Sequence, residues 1–174
     1  MFNGKSVQFG RVEFRPTTEA DLDYVMTMEN AAENAPFIRQ WSIQQHQSAI
    51  IDDNIAHFIV QKTSDNKTIG YIILIGLKNV DQSMELKRIV IEEKDEGFGR
   101  ESLQLVKKIV FENLCIHRLC LDVVEENDRA IELYKSEGFT SEGLHRESMK
   151  RGEHFVSLKV MSILAHEYNG TSSR

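Results

Sequence analysis

One stretch of the chain, residues 83–124, limits the possible folds more than any other. A β-branched, apolar segment at Ser83–Ile91 leads through a glycine turn to an amphipathic helical pattern at residues 103–114, which is followed by a second apolar segment, Arg118–Val124. A strand–helix–strand unit of this kind normally pairs its two strands in parallel, through a right-handed crossover. The sequence therefore predicts a sheet with at least one parallel pair of strands.

The N-terminal third predicts a strand followed by a helix. Arg11–Arg15 alternates polar and apolar residues, which is typical of a half-buried strand, and Pro16 ends it. Thr18 and Asp21 have the spacing of a capping box and open a helix that runs to about Asn30.

Further elements flank the central unit on both sides. Ser42 and Gln45 predict the cap of a short second helix. Ile55–Gln61 and Thr68–Leu77 are rich in β-branched and aromatic residues, and the polar turn at residues 65–67 makes them a hairpin.

The C-terminal part predicts one more helix and a closing hairpin. Asn127 has the position of an N-cap, and Gly138 stands where a helix-ending glycine belongs. Phe139–Lys150 and His154–Ile163 then form an antiparallel pair. The expected fold is α/β (α+β), with a mixed central sheet of about six to seven strands and about four helices.

Length and composition indicate one domain of an ordinary globular protein. The 174 residues are 41% hydrophobic and 28% charged, without an internal repeat or linker, so we expect a single domain at 1–168 and a flexible tail at 169–174. The net charge of −6 disfavours nucleic acid as a partner and mildly favours a cationic one.

The sequence shows no pattern typical of a signal peptide, a membrane span or a disulfide framework. The first ten residues show no apolar signal region, and the longest apolar run, Ile69–Leu77, is too short to span a membrane. Cys115 and Cys120 are too few for a disulfide framework, and we expect both to be reduced thiols in or near the core. These features predict a cytoplasmic protein without a membrane partner.

The glycine turn is the first chemical signal. Gly97 and Gly99 lie between a strand and a helix, where backbone N–H groups and the helix N-terminus suit a pyrophosphate. A plain tight turn without a ligand is the alternative. A Rossmann turn would need a third glycine where Ser102 stands, and the chain has no Walker loop.

The second signal is the run from Asn127 to Phe139. Asn127, Ala130, Tyr134, Gly138 and Phe139 follow the pattern N-x-x-A-x-x-x-Y-x-x-x-G-F directly after the next strand. Together with the glycine turn, this run resembles the GNAT superfamily of acetyltransferases. The likeness is greatest to the branch that contains ribosomal-protein N-terminal acetyltransferases and spermidine N-acetyltransferases.

The resemblance implies an N-acetyltransferase that uses acetyl-CoA. It also implies that the cofactor is held by the strand before the glycine turn, the turn itself and the following helix. The implied cofactor-binding residues are Ile89, Val90, Ile91, Glu96, Gly97, Phe98, Gly99, Arg100, Glu101, Ser102, Asn127, Ala130 and Tyr134.

Two positions depart from the family's usual turn. Glu96 stands where Gln or Arg is common, and Glu101 where Gly or Ala is common. Both carboxylates would repel a pyrophosphate unless they point away from it, and Arg100 could supply a compensating cation.

The implied chemistry is direct attack of an amine on the thioester. A backbone N–H near Val90 is expected to stabilise the oxyanion. Glu85 is the candidate base, and a solvated strand carboxylate is the alternative interpretation. Tyr134 is the candidate proton donor, against a packed tyrosine. Asn127 can cap its helix, bind the cofactor, or do both through different atoms.

Other conspicuous residues receive plainer interpretations. The six histidines show no ligand spacing, so no metal site is expected. His145 or His154 would either line the acceptor site or lie on the surface. Trp41 would either shape the acceptor pocket or pack in the core or at its rim.

The acceptor is left open by the sequence. The expected partner is an amine, as a small molecule such as a polyamine or amino sugar, or as a protein N-terminus, and the chain could form a homodimer. A polyamine needs converging carboxylates, for which Glu29, Glu33 and Glu85 are candidates. The alternative function is a non-catalytic acyl-CoA-binding regulatory module; a nicotinamide-dependent enzyme is disfavoured by Ser102.

Overall fold

An eight-stranded mixed sheet runs through the computed structural model, which describes residues 6–170. The strands are β1 Val7–Phe9, β2 Val12–Pro16, β3 Ile55–Lys62, β4 Thr68–Ile75, β5 Ser83–Ile91, β6 Arg118–Val124, β7 Thr140–Arg151 and β8 His154–Leu164. The α-helices are α1 Leu22–Asn30, α2 Ile43–Ile51, α3 Phe98–Lys108 and α4 Asp128–Ser136. The predicted fold class, a mixed sheet with four helices, is confirmed.

The predicted helix caps are present. The Asp21 carboxylate accepts hydrogen bonds from the backbone N–H and the hydroxyl of Thr18, both at 2.8 Å, and the short 3₁₀ turn that they cap leads into α1. Ser42 and Gln45 cap α2 reciprocally, with Gln45 Oε1 2.8 Å from the Ser42 nitrogen. Local side-chain chemistry therefore fixes where both helices begin.

The strand order is β1-β2-β3-β4-β5-β6-β8-β7, and within the described chain only β5 and β6 pair in parallel. Their pairing is short, joining Ser83–Glu85 to Arg118–Cys120. Beyond it the two strands separate. The predicted crossover unit thus forms, but its parallel strands meet at one end only.

A β-bulge accompanies this separation. Ile73 of β4 pairs with Arg88 and Leu74 pairs with Leu86, so Lys87 is an extra residue in β5. Bulges bend the strand that carries them and increase its local twist. The bulge lies two residues after Glu85, the last residue of β5 that pairs with β6.

Each face of the sheet has its own apolar core. On one face α3 and α4 pack against the sheet through residues such as Leu103, Val106 and Ile131. On the other, Val25 and Met28 of α1 pack against Tyr71 and neighbouring side chains of β4 and β5. Both faces are covered, which is why β4 reads as a nearly continuous apolar run.

Several details differ from the sequence prediction. The edge strand β1 was not predicted, and Pro16 is the last residue of β2 instead of lying beyond it. Cys120 is half-buried as expected, but Cys115 is exposed, so the prediction for Cys115 was wrong. Cys115 has φ +53° in the turn after the π-helical segment Ile109–Asn113, which continues α3, and its side chain is exposed there.

Two expectations concern the ends and the surroundings of the chain. The predicted tail at 169–174 falls mostly outside the described residues, as does the segment 1–5, and the domain boundary at residue 168 stays a prediction. Between residues 6 and 170, no helix is long and apolar enough to cross a membrane.

Candidate active site

The separation of β5 and β6 opens a cleft of about 840 Å³. Its walls come from β5, β6, the glycine turn, α4, the segment between α1 and α2, and the last hairpin. Of the residues predicted to bind the cofactor, those that line it are Ile89, Val90, Ile91, Gly97, Gly99, Arg100, Asn127, Ala130 and Tyr134. The bulged strand and the helix of the second motif therefore face each other across one space.

The glycine turn presents free backbone donors at one end of this cleft. Gly97 has φ +85°, a left-handed conformation that glycine adopts without strain, and it precedes α3 directly. The first helical hydrogen bond runs from the Glu101 nitrogen to the Gly97 carbonyl. Among residues 6–170, the N–H groups of Phe98, Gly99 and Arg100 have no acceptor, so this helix start can bind an anion.

Four side chains of the predicted set lie outside the cleft: Glu96, Phe98, Glu101 and Ser102. Phe98 is buried in the core beneath Arg11, whose guanidinium carbon is 4.6 Å from the ring centroid, and Ser102 is fully buried. Phe98 and Ser102 can therefore meet a ligand in the cleft only through their backbone atoms.

The two glutamates of the turn point away from the cleft. Glu101 accepts hydrogen bonds from the backbone and the side chain of Arg11, both at 2.7 Å. Glu96 is exposed, and its carbonyl accepts a hydrogen bond from Arg11 Nη2 at 2.9 Å. The departure from the usual family turn therefore leaves no carboxylate of Glu96 or Glu101 in the cleft wall.

Arg100 lines the cleft but is not a free cation. Its guanidinium lies 2.5 Å from the Glu137 carboxylate, which also binds the buried Lys107 at 2.8 Å. The positive charge of Arg100 at the glycine turn is thus shared with a carboxylate from the end of α4.

Cations that the sequence did not single out stand near the same end. Arg129, the second residue of α4, lines the cleft and pairs with Asp95 at 3.1 Å. Lys94 donates to the Ile91 carbonyl at 2.6 Å and to Asn34 Oδ1 at 3.2 Å, and burial lowers its pKa. Arg129 lies inside the recognised motif but at a variable position, which is why the pattern gave no signal for it.

Tyr134 stands in the wall formed by α4. The residue is 7% exposed, and its ring packs against Phe139 with the centroids 5.7 Å apart. Its hydroxyl makes no hydrogen bond to another described residue, and burial raises its pKa. The phenol is therefore protonated at neutral pH and free to donate a hydrogen bond to a ligand in the cleft.

Asn127 caps α4 with its side-chain oxygen and also lines the cleft. Its Oδ1 accepts a hydrogen bond from the Ala130 nitrogen at 3.3 Å, which is the predicted N-cap. The residue also lines the cleft. Because the cap uses the oxygen, the amide nitrogen is left to donate into the cleft.

The predicted carboxylate cluster forms only in part. Glu85 and Glu33 line the cleft, and Glu85 is ion-paired with Lys87 at 2.9 Å. Glu29 does not join them, because it is fully buried beside Arg88. His145 and His154 are exposed and Trp41 packs on Arg88, so these three do not line the cleft.

The described residues contain no group of three or more His, Cys, Asp or Glu side chains arranged to hold a metal ion.

Comparison with known proteins identifies the family. The sequence profile of the acetyltransferase (GNAT) domain matches residues 11–140, well over half of the chain. The chain belongs to the GNAT acetyltransferase family. The acetyltransferase is 27% identical over 169 residues to the spermidine N(1)-acetyltransferase of Escherichia coli K12, an alignment that covers 90% of this chain and 88% of the relative.

Solved structures carry the same fold. The spermidine N-acetyltransferase of Vibrio cholerae in complex with CoA and spermine superposes with a TM-score of 0.81 at 24% identity, covering 91% of this chain and 98% of the other. A dodecameric structure of the Vibrio cholerae enzyme gives a TM-score of 0.78 at 24% identity, with 94% and 99% covered. The protein described here is an N-acetyltransferase, and its cofactor is acetyl-CoA.

Proposed function

We propose that this acetyltransferase moves an acetyl group from acetyl-CoA to a primary amine of a small polyamine-like molecule, by direct attack of the amine on the thioester. The observation that carries the proposal is the single cleft in which the free amides of the glycine turn, the bulged strand β5 and the Tyr134 side chain are combined. Its volume of about 840 Å³ is enough for a cofactor that extends from the turn along the residues of β5 and α4.

The cofactor is held mainly by backbone groups. The amides of Phe98, Gly99 and Arg100 bind the pyrophosphate, helped by the partial positive charge of the helix start. The pantetheine arm pairs with Ile89–Ile91, whose edge toward β6 has no partner strand among residues 6–170. Asn127 donates from its amide nitrogen to the same arm.

The thioester carbonyl gains negative charge when the amine attacks. A backbone N–H near Val90 donates a hydrogen bond to that oxygen and stabilises the tetrahedral intermediate. Because the bulge at Lys87 lies just before it, the strand is fixed at an angle that turns this edge toward the cleft.

The proposed proton movements use two of the ionisable side chains in the walls, Glu85 and Tyr134. The attacking amine has to be neutral, although a free alkylamine has a pKa of about 10.4. Glu85 takes the proton from the ammonium, directly or through water. When the carbon–sulfur bond breaks, Tyr134 gives its phenolic proton to the coenzyme A thiolate. The resulting phenolate is reprotonated through water by the proton that the attacking nitrogen loses as it becomes an amide. Burial raises the pKa of Tyr134 and makes the phenol a weaker acid, so the support for this role is the position of the side chain in the cleft wall.

Carboxylates in the cleft wall support a small cationic acceptor. Glu33, Glu85, Asp122 and Glu126 line the cleft, as do basic side chains such as Lys87, and a cationic acceptor would bind beside the carboxylates. The names of the Escherichia coli and Vibrio cholerae relatives support the same substrate class. A dodecameric relative also makes self-association our expectation, which light scattering would measure.

The decisive experiment is an acetyl-transfer assay with spermidine, spermine, an amino sugar and peptides with free N-termini. We expect turnover with the polyamines, and a Tyr134→Phe enzyme with kcat lowered about 100-fold but little change in either KM. Glu85→Gln should lower kcat and shift the acid limb of the pH–rate profile.

Three outcomes would contradict the proposal. Turnover with peptides alone would move the acceptor to a protein N-terminus. Full activity of Tyr134→Phe, with an unchanged pH profile, would remove the phenol from the mechanism. Tight acetyl-CoA binding without turnover on any amine in the panel would remove the polyamine acceptor.

A further inference from the structure

A set of buried polar side chains lies on the α1 and α2 face of the sheet, next to the cleft but outside its wall for the most part. We call it the Glu29 network, and it consists of Glu29, His46, His57, Tyr71 and Arg88. Each is less than a tenth exposed, and Glu29, His46 and Tyr71 are fully buried. Burying this many polar groups lowers the stability of the fold unless they hydrogen-bond to one another. Their arrangement therefore needs a functional explanation.

Glu29 is the centre of the network. Its Oε1 accepts hydrogen bonds from Tyr71 Oη at 2.9 Å and from Arg88 Nε at 3.3 Å. Its Oε2 accepts a hydrogen bond from the backbone nitrogen of Trp41 at 2.8 Å. Burial alone would raise the pKa of this carboxyl, but the contacts with His46 and Trp41 and the charge of Arg88 outweigh burial and lower it. Glu29 is therefore a buried, ionised carboxylate.

The two histidines support Glu29 from behind. His46 Nε2 is 3.4 Å from Glu29 Oε1, and His46 Nδ1 is 3.1 Å from His57 Nε2. His57 Nδ1 is 2.8 Å from the Thr17 hydroxyl. One assignment fits these distances: Thr17 donates to His57, His57 donates to His46, and His46 Nε2 faces the Glu29 carboxylate at 3.4 Å without completing a hydrogen bond.

Arg88 connects the network to the cleft. It follows the bulge residue Lys87 on β5, donates to the Lys87 carbonyl at 2.9 Å, and lines the cleft. Its Nη2 donates to the backbone carbonyl of Arg39, and its guanidinium carbon is 5.5 Å from the centroid of the Trp41 ring. Its three nitrogens thus join Glu29, β5 and the segment before α2.

That segment, residues 38–41, depends on these contacts. Ile38 and Arg39 form part of the cleft wall and come from a different segment than the glycine turn, and we assign the acceptor to their side. In the described part of the chain, residues 38–41 make no backbone–backbone hydrogen bond. Their backbone is held instead by Arg88 at the Arg39 carbonyl and by Glu29 at the Trp41 nitrogen.

We propose that Glu29 and Arg88 are positioning residues that fix segment 38–41 as the acceptor-side wall of the cleft. They connect this wall to the bulge of β5. The acceptor is therefore held at a fixed distance from the strand along which the cofactor and its thioester are proposed to bind. The proposal rests on the acetyl transfer proposed above. It assigns no contact with acetyl-CoA to either residue.

The test compares Glu29→Gln and Arg88→Lys with the unmodified enzyme. Glutamine keeps the shape but not the charge of Glu29, and lysine cannot bridge three acceptors as a guanidinium does. We expect the KM for the amine to rise about tenfold, because small displacements of a positioning wall have large kinetic effects. The KM for acetyl-CoA should stay within about twofold, since the glycine turn is untouched.

Arg118→Lys is the matched control. Arg118 is also a strand arginine paired with a carboxylate, at 2.6 Å from Glu142, but it does not line the cleft. We expect both KM values to be unchanged in this variant.

A direct readout of the segment is available, because Trp41 is the only tryptophan of the chain. Its fluorescence should become more accessible to acrylamide in Glu29→Gln and Arg88→Lys, and not in Arg118→Lys. This measurement needs no substrate, so it stays informative even if the proposed acceptor is wrong.

Two results would overturn the proposal. One is unchanged acrylamide quenching in both folded variants, which would mean that the network does not hold segment 38–41. The other is increased quenching with an unchanged KM for every amine that the enzyme accepts. By contrast, absence of transfer to any amine in the unmodified enzyme would refute the proposed function and leave the quenching result to decide the anchoring.

Discussion

The carboxylate of Glu101 and the guanidinium of Arg11 bind each other across the end of the sheet, with Oε1 2.7 Å from Nε. The Arg11 backbone nitrogen also donates to Oε2 at 2.7 Å. Arg11 belongs to the turn between β1 and β2, so a residue from the start of the chain draws this carboxylate away from the predicted pyrophosphate site. An acidic residue in the glycine turn is thereby made compatible with an anionic cofactor.

Replacing Arg11 should therefore weaken cofactor binding. In Arg11→Ala the Glu101 carboxylate is released at the helix start, and we expect the KM for acetyl-CoA to rise about two- to fivefold with little change in kcat. Steady-state kinetics with acetyl-CoA as the varied substrate would measure the effect.

The double variant Arg11→Ala with Glu101→Gln distinguishes two effects. One is repulsion of acetyl-CoA by the freed Glu101 carboxylate, and the other is loss of the support that Arg11 gives to the glycine turn. If the free carboxylate is responsible, the double variant should return to within about twofold of Glu101→Gln alone. A double variant as impaired as Arg11→Ala would mean that Arg11 acts on the shape of the turn and not on its charge.

The parts of the fold that were predictable are those whose signal is local. The strands Ser83–Ile91 and Arg118–Val124 begin and end where the sequence predicted. The cap at Ser42 and the helix end at Gly138, which has φ +93°, were also predicted from neighbouring residues alone. Each such feature depends on a few consecutive side chains and their backbone preferences.

The features that were missed depend on residues far apart in the sequence. The bulge at Lys87 exists only relative to β4, and the partner of Glu101 lies 90 positions earlier. Glu29 was expected in an open acceptor cluster, but its partners Tyr71 and Arg88 are 42 and 59 positions away and enclose it. No short sequence pattern encodes contacts between residues that are so far apart in the chain. The roles of the individual site residues remain predictions.

Gly70 should be intolerant of any side chain. A Cβ atom there would lie 2.2 Å from the Val90 carbonyl oxygen and 2.8 Å from Ile91 Cδ1. Relief would require β5 to move away from β4, toward the cleft that its opposite edge lines. We expect Gly70→Ala to lose about 1–3 kcal/mol of unfolding free energy and to raise the KM for acetyl-CoA. Denaturant unfolding and steady-state kinetics would measure the two effects.

Gly143→Ala provides the comparison. Gly143 also lies in a strand, and a Cβ atom there would meet no atom within 4 Å. This variant should be about as stable as the unmodified protein. Equal stability of Gly70→Ala and Gly143→Ala would contradict this prediction, because it would mean that β5 shifts without a loss of unfolding free energy.

Glu137 should be a strong determinant of stability. Its side chain is 6% exposed and binds Lys107, which is 9% exposed, as well as Arg100. Glu137→Gln leaves the buried ammonium of Lys107 without its counter-charge, and we expect a loss of about 3 kcal/mol. Glu132→Gln, on the exposed face of α4 and paired with Lys135, should change stability by less than about 0.5 kcal/mol. Similar losses in the two variants would mean that burial does not strengthen the Glu137 pair.

His57 should make the stability of the protein depend on pH. Burial, together with the neighbouring His46, lowers the pKa of His57 to about 3, whereas an unfolded histidine has a pKa of about 6.5. The unfolded chain therefore binds the proton first, and the stabilisation is complete above pH 6.5 and is lost as the pH falls toward 3. Between pH 7 and pH 5 this linkage corresponds to about 2 kcal/mol of unfolding free energy.

Denaturant unfolding at several pH values would test the role of His57. As the pH falls, the free energy of unfolding should decline less in His57→Gln than in the unmodified protein. In His154→Gln, a change at an exposed site, it should decline in parallel with the unmodified protein. If the difference between His57→Gln and the unmodified protein is constant across this range, then His57 is not the group that titrates.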